Sequence, residues 1–179
     1  MAKIAPIPKV SGTTWSEIFS AIKSTPDVRV IILNHARDIH NGFRPFDPEI
    51  YDASTGAIKN GWTLEANALE ILNSGATQSD LLQLTKDWMT QLNRGNIMTP
   101  VGSSDSHDVN TYIVGQGRTY IRVDDTDPGK IDVDAAVDSF AAGQVMVSYG
   151  LLAEIKINGA YQSGDLATLD ADAQTVTVD

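Results

Sequence analysis

The sequence predicts an α/β fold with a parallel core, and three observations carry that reading. Segments with apolar residues at helical spacing alternate with short apolar runs rich in β-branched residues. The run 28–33, interrupted only by Arg29, shows little polar alternation, as expected of a strand buried on both faces. From Ala153 onward the pattern changes to the alternation of a half-exposed antiparallel sheet.

In chain order, Trp15, Ile18, Phe19 and Ile22 recur at helical spacing after Thr13 and Thr14, and Pro26 closes that helix. The strand 28–33 follows. Residues 38–62 hold Gly42, Pro45, Pro48, Gly56 and Gly61 among polar and aromatic residues, which reads as a long irregular loop of the kind that often carries function. Run 68–72 is a short strand closed by Asn73-Ser74-Gly75. Next comes a helix with Ser79 as N-cap, Leu81, Leu82, Leu84, Trp88, Met89 and Leu92 on its apolar face, and Gly95 as its stop. Strands are expected at 97–102, 119–123 and 145–148, and a helix at 134–142 stopped by Gly143. The tail offers Glu154-Ile155-Lys156-Ile157, an Asn158-Gly159 turn and Thr175-Val176-Thr177-Val178. A boundary near 152 therefore separates the α/β part, 1–152, from a β-rich appendage, 153–179.

Composition narrows the function classes. A chain of 179 residues with 42% hydrophobic content suits one domain. Its net charge of −10, from 13 Lys+Arg against 23 Asp+Glu, argues against nucleic acid, whose phosphates need basic patches. Without cysteine there is no thiolate nucleophile or disulfide, and any metal must be held by nitrogen and oxygen. No apolar run approaches the about 20 residues that cross a bilayer, so no membrane partner is expected. The opening residues lack the apolar core of a secretory signal; cytoplasm is the default, and a lost signal would make the protein secreted or periplasmic.

The chemistry concentrates at the ends of two predicted strands. In Gly102-Ser103-Ser104-Asp105-Ser106-His107, Asp105 and His107 are one residue apart; if the strand continues, both side chains point the same way. His35 directly follows the strand 28–33, and active sites of parallel sheets and barrels gather at such carboxyl ends. His35, Asp105 and His107 would form a two-histidine, one-carboxylate set suited to zinc, manganese or iron, with positions left for water and substrate. The bland alternative is that Asp105 caps a turn and the histidines are hydrogen-bonded loop residues, since Asp-x-His alone is a weak motif. Arg37 and Arg118 are candidates to neutralise an anionic small-molecule substrate, or else pair with nearby acids. His40 reads as a surface histidine of the long loop.

Several patterns do not hold up. Ser104, Asp105 and His107 are too close in sequence to form a relay triad. Ser20-Ala21-Ile22-Lys23 lies on a helix's apolar pattern without companion motifs. Gly115-Gln116-Gly117 lacks the third glycine of a dinucleotide fingerprint and reads as a turn. The acidic run Asp124-Asp125-Thr126-Asp127 ends in a Pro128-Gly129 turn rather than a calcium loop.

Leu33-Asn34-His35, the run from Gly102 to His107, and Gly115-Gln116-Gly117-Arg118-Thr119-Tyr120 resemble PHP-domain proteins, particularly the CehA/McbA-like metal-dependent hydrolases. The resemblance extends from about the first strand to Gly159. It implies a distorted β/α barrel with divalent metals clustered at the carboxyl ends of its strands. His35 matches the histidine of the family's Asn-His-Pro motif, and Asp105 and His107 match its closing Asp-x-His. Ala36 stands where the family has proline, and no His-x-His strand precedes residue 35. The expectation is thus the carboxyl-terminal half of a PHP-like barrel with a short β-rich appendage: a hydrolase of phosphoesters, esters or amides. That half is expected to self-associate or to need a complementary amino-terminal segment, and alone to hydrolyse little. The rival expectation is a non-catalytic α/β interaction or binding module that keeps part of the metal site.

Overall fold

The computed structural model describes residues 14–38, 44–59, 61, 63–74, 80–170, 172 and 175–179. Helix α1, Trp15–Lys23, begins where Thr14 and Glu17 cap each other: the Thr14 N–H donates to the Glu17 carboxylate (2.7 Å) and the Glu17 N–H to the Thr14 hydroxyl (3.4 Å). The helix buries Phe19.

A parallel sheet of three strands forms the centre: β1 (Ile32–Leu33), then β4 (Ala68–Asn73), then β5 (Thr99–Ser103), in that spatial order. Between β1 and β4 the chain makes a small antiparallel hairpin from β2 (Tyr51–Asp52) and β3 (Ala57–Ile58). Helix α2, Leu81–Asn93, crosses from β4 back to β5, the connection that parallel pairing requires. Under the sheet lies a core of Phe19, Leu33, Ala36, Phe46, Tyr51, Leu69, Leu84 and Met98. A second, antiparallel ribbon pairs β6 (Arg118–Ile121) with β7 (Val145–Ser148), and α3 (Val133–Ala141) connects them. The Asp132 carboxylate caps α3 by accepting from the N–H groups of Asp134 and Ala135.

The ribbon meets β5 closely at Gly102 and Gly117. Thr119 Oγ1 accepts from the Gly102 N–H and donates to the Gly102 carbonyl, both at 2.9 Å. A Cβ on Gly102 would lie 2.6 Å from the Arg118 carbonyl oxygen, and one on Gly117 would lie 2.3 Å from that of Ser103. Only glycine permits that approach at either position.

Mixed α/β architecture with parallel strands is present, but among the described residues the sheets do not close into a barrel. Four further expectations are corrected. The stretch 28–33 is not a strand buried on both faces. Only Ile32 and Leu33 pair with β4, and Ile32 is 41% exposed. The reason is Asn67, whose amide oxygen accepts from the Ile31 N–H (2.8 Å) and whose NH2 donates to the Arg29 carbonyl (2.9 Å), replacing ladder bonds there. The loop 38–62 is not wholly irregular, because the hairpin sits inside it and Phe46 and Tyr51 anchor it in the core. On α2 the inward face is Leu84, Asp87, Trp88 and Gln91, while Leu82 and Met89 are exposed at 65% and 53%. Its N-cap is Asp80; Ser79 lies outside the described residues.

In the tail, Ile157 bridges both Tyr161 and Val178 in antiparallel fashion, and Lys156 and Asp179 exchange backbone hydrogen bonds. Asn158 and Gly159 take positive φ (51° and 66°), the geometry of the predicted turn. Among the described residues no helix is long and apolar enough to cross a membrane.

Candidate functional site

β1, β4 and β5 run parallel, so their carboxyl ends lie on one side of the sheet, and the chemistry-bearing residues are found there. His35 comes two residues after β1 and Asp105 two residues after β5. Both adopt the left-handed backbone region, φ 37° and 50°. Histidine and aspartate enter that region more readily than most residues, but at an energetic cost that concentrates at functional sites. The left-handed turn at Asp105 also corrects an expectation: strand geometry does not continue to His107. β5 pairing stops at Ser103 opposite Asn73, and the loop turns there.

Between the two loops stands Glu70, in the central strand β4. Its side chain accepts the His35 backbone N–H at 2.7 Å with one oxygen and the Ser103 hydroxyl with the other. It thereby ties the ends of β1 and β5 together through a carboxylate that is only 4% exposed. An irregularity in the β4–β5 register falls between Glu70 and Leu72, and such bulges re-aim neighbouring side chains. Sequence reasoning passed over Glu70. Its signal was present: one carboxylate inside the apolar run Ala68-Leu69-Glu70-Ile71-Leu72, where burial without partners would be prohibitive.

His35 Nδ1 is buried and has no hydrogen-bond partner among the described residues. A buried ring nitrogen left this way costs about 1–3 kcal/mol. Arg37, two residues on, makes a forked ion pair with Asp87 of α2: Nε to one oxygen, and Nη2 to the other at 3.0 Å. Asp87 is wholly buried and receives a further hydrogen bond from Gln83 (3.0 Å). The guanidinium also lies 5.8 Å over the Tyr51 ring, whose phenol is pushed above its ordinary pKa by burial. Of the two readings of Arg37, pairing with an acid is the one found here.

Asp105 and His107 form an exposed pair. His107 Nδ1 lies 2.8 Å from the Asp105 carbonyl and 3.6 Å from its carboxylate, and the His107 side chain is 79% exposed. The loop around them is organised by the Ser106 hydroxyl donating to the Tyr112 carbonyl and by Asp108, which accepts from the N–H groups of Asn110 and Thr111. Those two N–H bonds, with the Thr111 hydroxyl, hold the Asp108 carboxyl below its ordinary pKa. The predicted turn at 115–117 is present, Gln116 N–H bonding to the Ile113 carbonyl at 2.9 Å, and Gly117 N–H bonds Ser74 Oγ at 2.7 Å. Arg118 is exposed beside Tyr120 and faces no carboxylate among the described residues. His40 lies outside the described residues.

The arrangement thus joins His35, Glu70 and Ser103 into one cluster, and Asp105 with His107 into another. Among the described residues no three His, Asp or Glu side chains are gathered as a metal would require. The donor types suit a divalent cation: an unpartnered imidazole nitrogen on His35, whose backbone N–H is held by the buried Glu70 carboxylate, and a second carboxylate and imidazole, Asp105 and His107, at the next strand end. Compared with known proteins, the chain matches no family model, no curated protein and no solved structure.

Proposed function

We propose that the protein is a metal-dependent hydrolase of the PHP type, with His35, Glu70, Asp105 and His107 as the residues that would hold a divalent zinc, manganese or iron ion. The supporting observation is the buried, unpartnered Nδ1 of His35, a residue whose backbone N–H is held by the Glu70 carboxylate. A cation held there supplies Lewis-acid polarisation of a phosphoryl or carbonyl oxygen and makes water nucleophilic near neutral pH. The chain's own residues do the rest. Glu70 fixes the His35 backbone and, through Ser103, the start of the Asp105 loop. Arg118, with its guanidinium unopposed among the described residues, orients an anionic substrate. The finer architecture that goes with this reading is part of a distorted β/α barrel, and its support is the set of parallel strands with these side chains at one end.

The separation of Asp105 and His107 from the His35 cluster favours a second reading, a binding module that keeps only part of the site. Turnover decides between them. With manganese or zinc added, the wild-type chain, self-associated or supplied with the amino-terminal segment of a PHP-like domain, should hydrolyse a model phosphoester or ester, and His35→Ala should reduce that rate by about 100-fold at unchanged melting temperature. No turnover with either metal, or equal turnover in His35→Ala, favours the module.

A further inference from the structure

We propose that the buried Arg37–Asp87 ion pair is a positioning device for His35: it aims the turn 35–38, whose His35 N–H is held by Glu70, and so sets where the ring with its buried Nδ1 points. The inference rests on the reading of His35 as a metal-holding residue. His35 has φ 37°, a conformation the chain must be made to keep. Its N–H is held by Glu70 and its carbonyl by the Asp38 N–H at 2.9 Å. Ala36, with no exposed surface, accepts the Phe46 N–H at 3.1 Å. These contacts fix where the turn sits, and Arg37 fixes how it is rotated. Its planar fork meets both oxygens of Asp87, a match that tolerates little change in direction. Asp87 in turn is held by Gln83 on the same helix.

A buried ion pair is a poor source of net stability, because apolar residues of similar size serve as well or better. Its presence one residue from the core and two from His35 is better accounted for by orientation.

The test replaces both partners in the full chain, Arg37→Met with Asp87→Leu, so that no lone charge stays buried. Three quantities are read: melting temperature, amide hydrogen exchange of His35 against that of Leu69 and Leu84 in metal-free protein, and zinc affinity by calorimetry. The expected result is a near wild-type melting temperature, faster exchange at His35 with none at Leu69 or Leu84, and zinc affinity lowered about 10–100-fold. Unchanged His35 exchange and unchanged zinc affinity in a stable fold would overturn the proposal and make the pair merely structural. Should the double variant not fold, Arg37→Lys keeps the charge without the fork: selective exposure of the His35 amide supports positioning, and wild-type exchange overturns it. If wild type takes up no zinc yet the His35 amide responds as expected, the positioning stands and the metal reading fails.

Discussion

The loops that leave β1 and β5 begin alike and continue differently. Each places a polar residue in the left-handed region two positions past its strand, His35 in one and Asp105 in the other. After His35 the chain dives into the core through Ala36 and locks onto α2 through Arg37. After Asp105 it stays at the surface, with His107, Val109, Ile113 and Val114 all largely exposed. Strand ends thus bring candidate chemistry to one side of the sheet, but the packing behind each loop decides which half is held rigidly. The β1-side turn is packed into the core, and the β5-side loop lies at the surface.

The sharpest way to break this contrast is through packing. Phe46→Ala removes a fully buried ring whose backbone also bonds Ala36, and should destabilise the fold by about 3–5 kcal/mol. Val109→Ala, at a residue 94% exposed, should stay within about 0.5 kcal/mol. Denaturant melts measure both. Equal effects would mean that the two loops are supported alike.

Much of the fold was legible. The helices at 15–23, 81–93 and 133–141 and the strands around 68–73, 99–103, 118–121 and 145–148 follow from periodicity and caps, which act locally. What escaped depends on partners distant in sequence. Asp87 and Gln91 face inward on α2 because Arg37, Tyr51 and Gly56 wait for them, so hydrophobic patterning alone misassigned that face. Residues 28–31 resemble a strand, but the Asn67 side chain takes their hydrogen bonds. His35 and Asp105 were singled out by their place after predicted strands, and the structure puts each two residues past a strand end. Glu70 was missed because only the neighbouring strand ends reveal why a carboxylate is tolerated there.

A smaller effect separates the loops by pH. The Asp108 carboxyl is held below its ordinary pKa by the N–H groups of Asn110 and Thr111, so its contribution to the β5-side loop is present in full above the unfolded value of about 3.9. That contribution disappears as pH falls through the lower, folded value. Exchange at the Asn110 and Thr111 amides, referred to that at Ala36, should therefore rise only in this acid window. A rise at neutral pH would show that the Asp108 turn does not organise the loop.

On the proposed metal reading, the His35–Glu70 pair and the Asp105–His107 pair serve one cation. Zinc titration followed residue by residue by NMR tests it most directly. One equivalent should shift the signals of His35, Glu70, Asp105 and His107 together, with Glu70, Asp105 and His107 unresponsive in His35→Ala. Shifts confined to the exposed His107 and persisting in His35→Ala would contradict the claim, because the two halves would then not share a ligand.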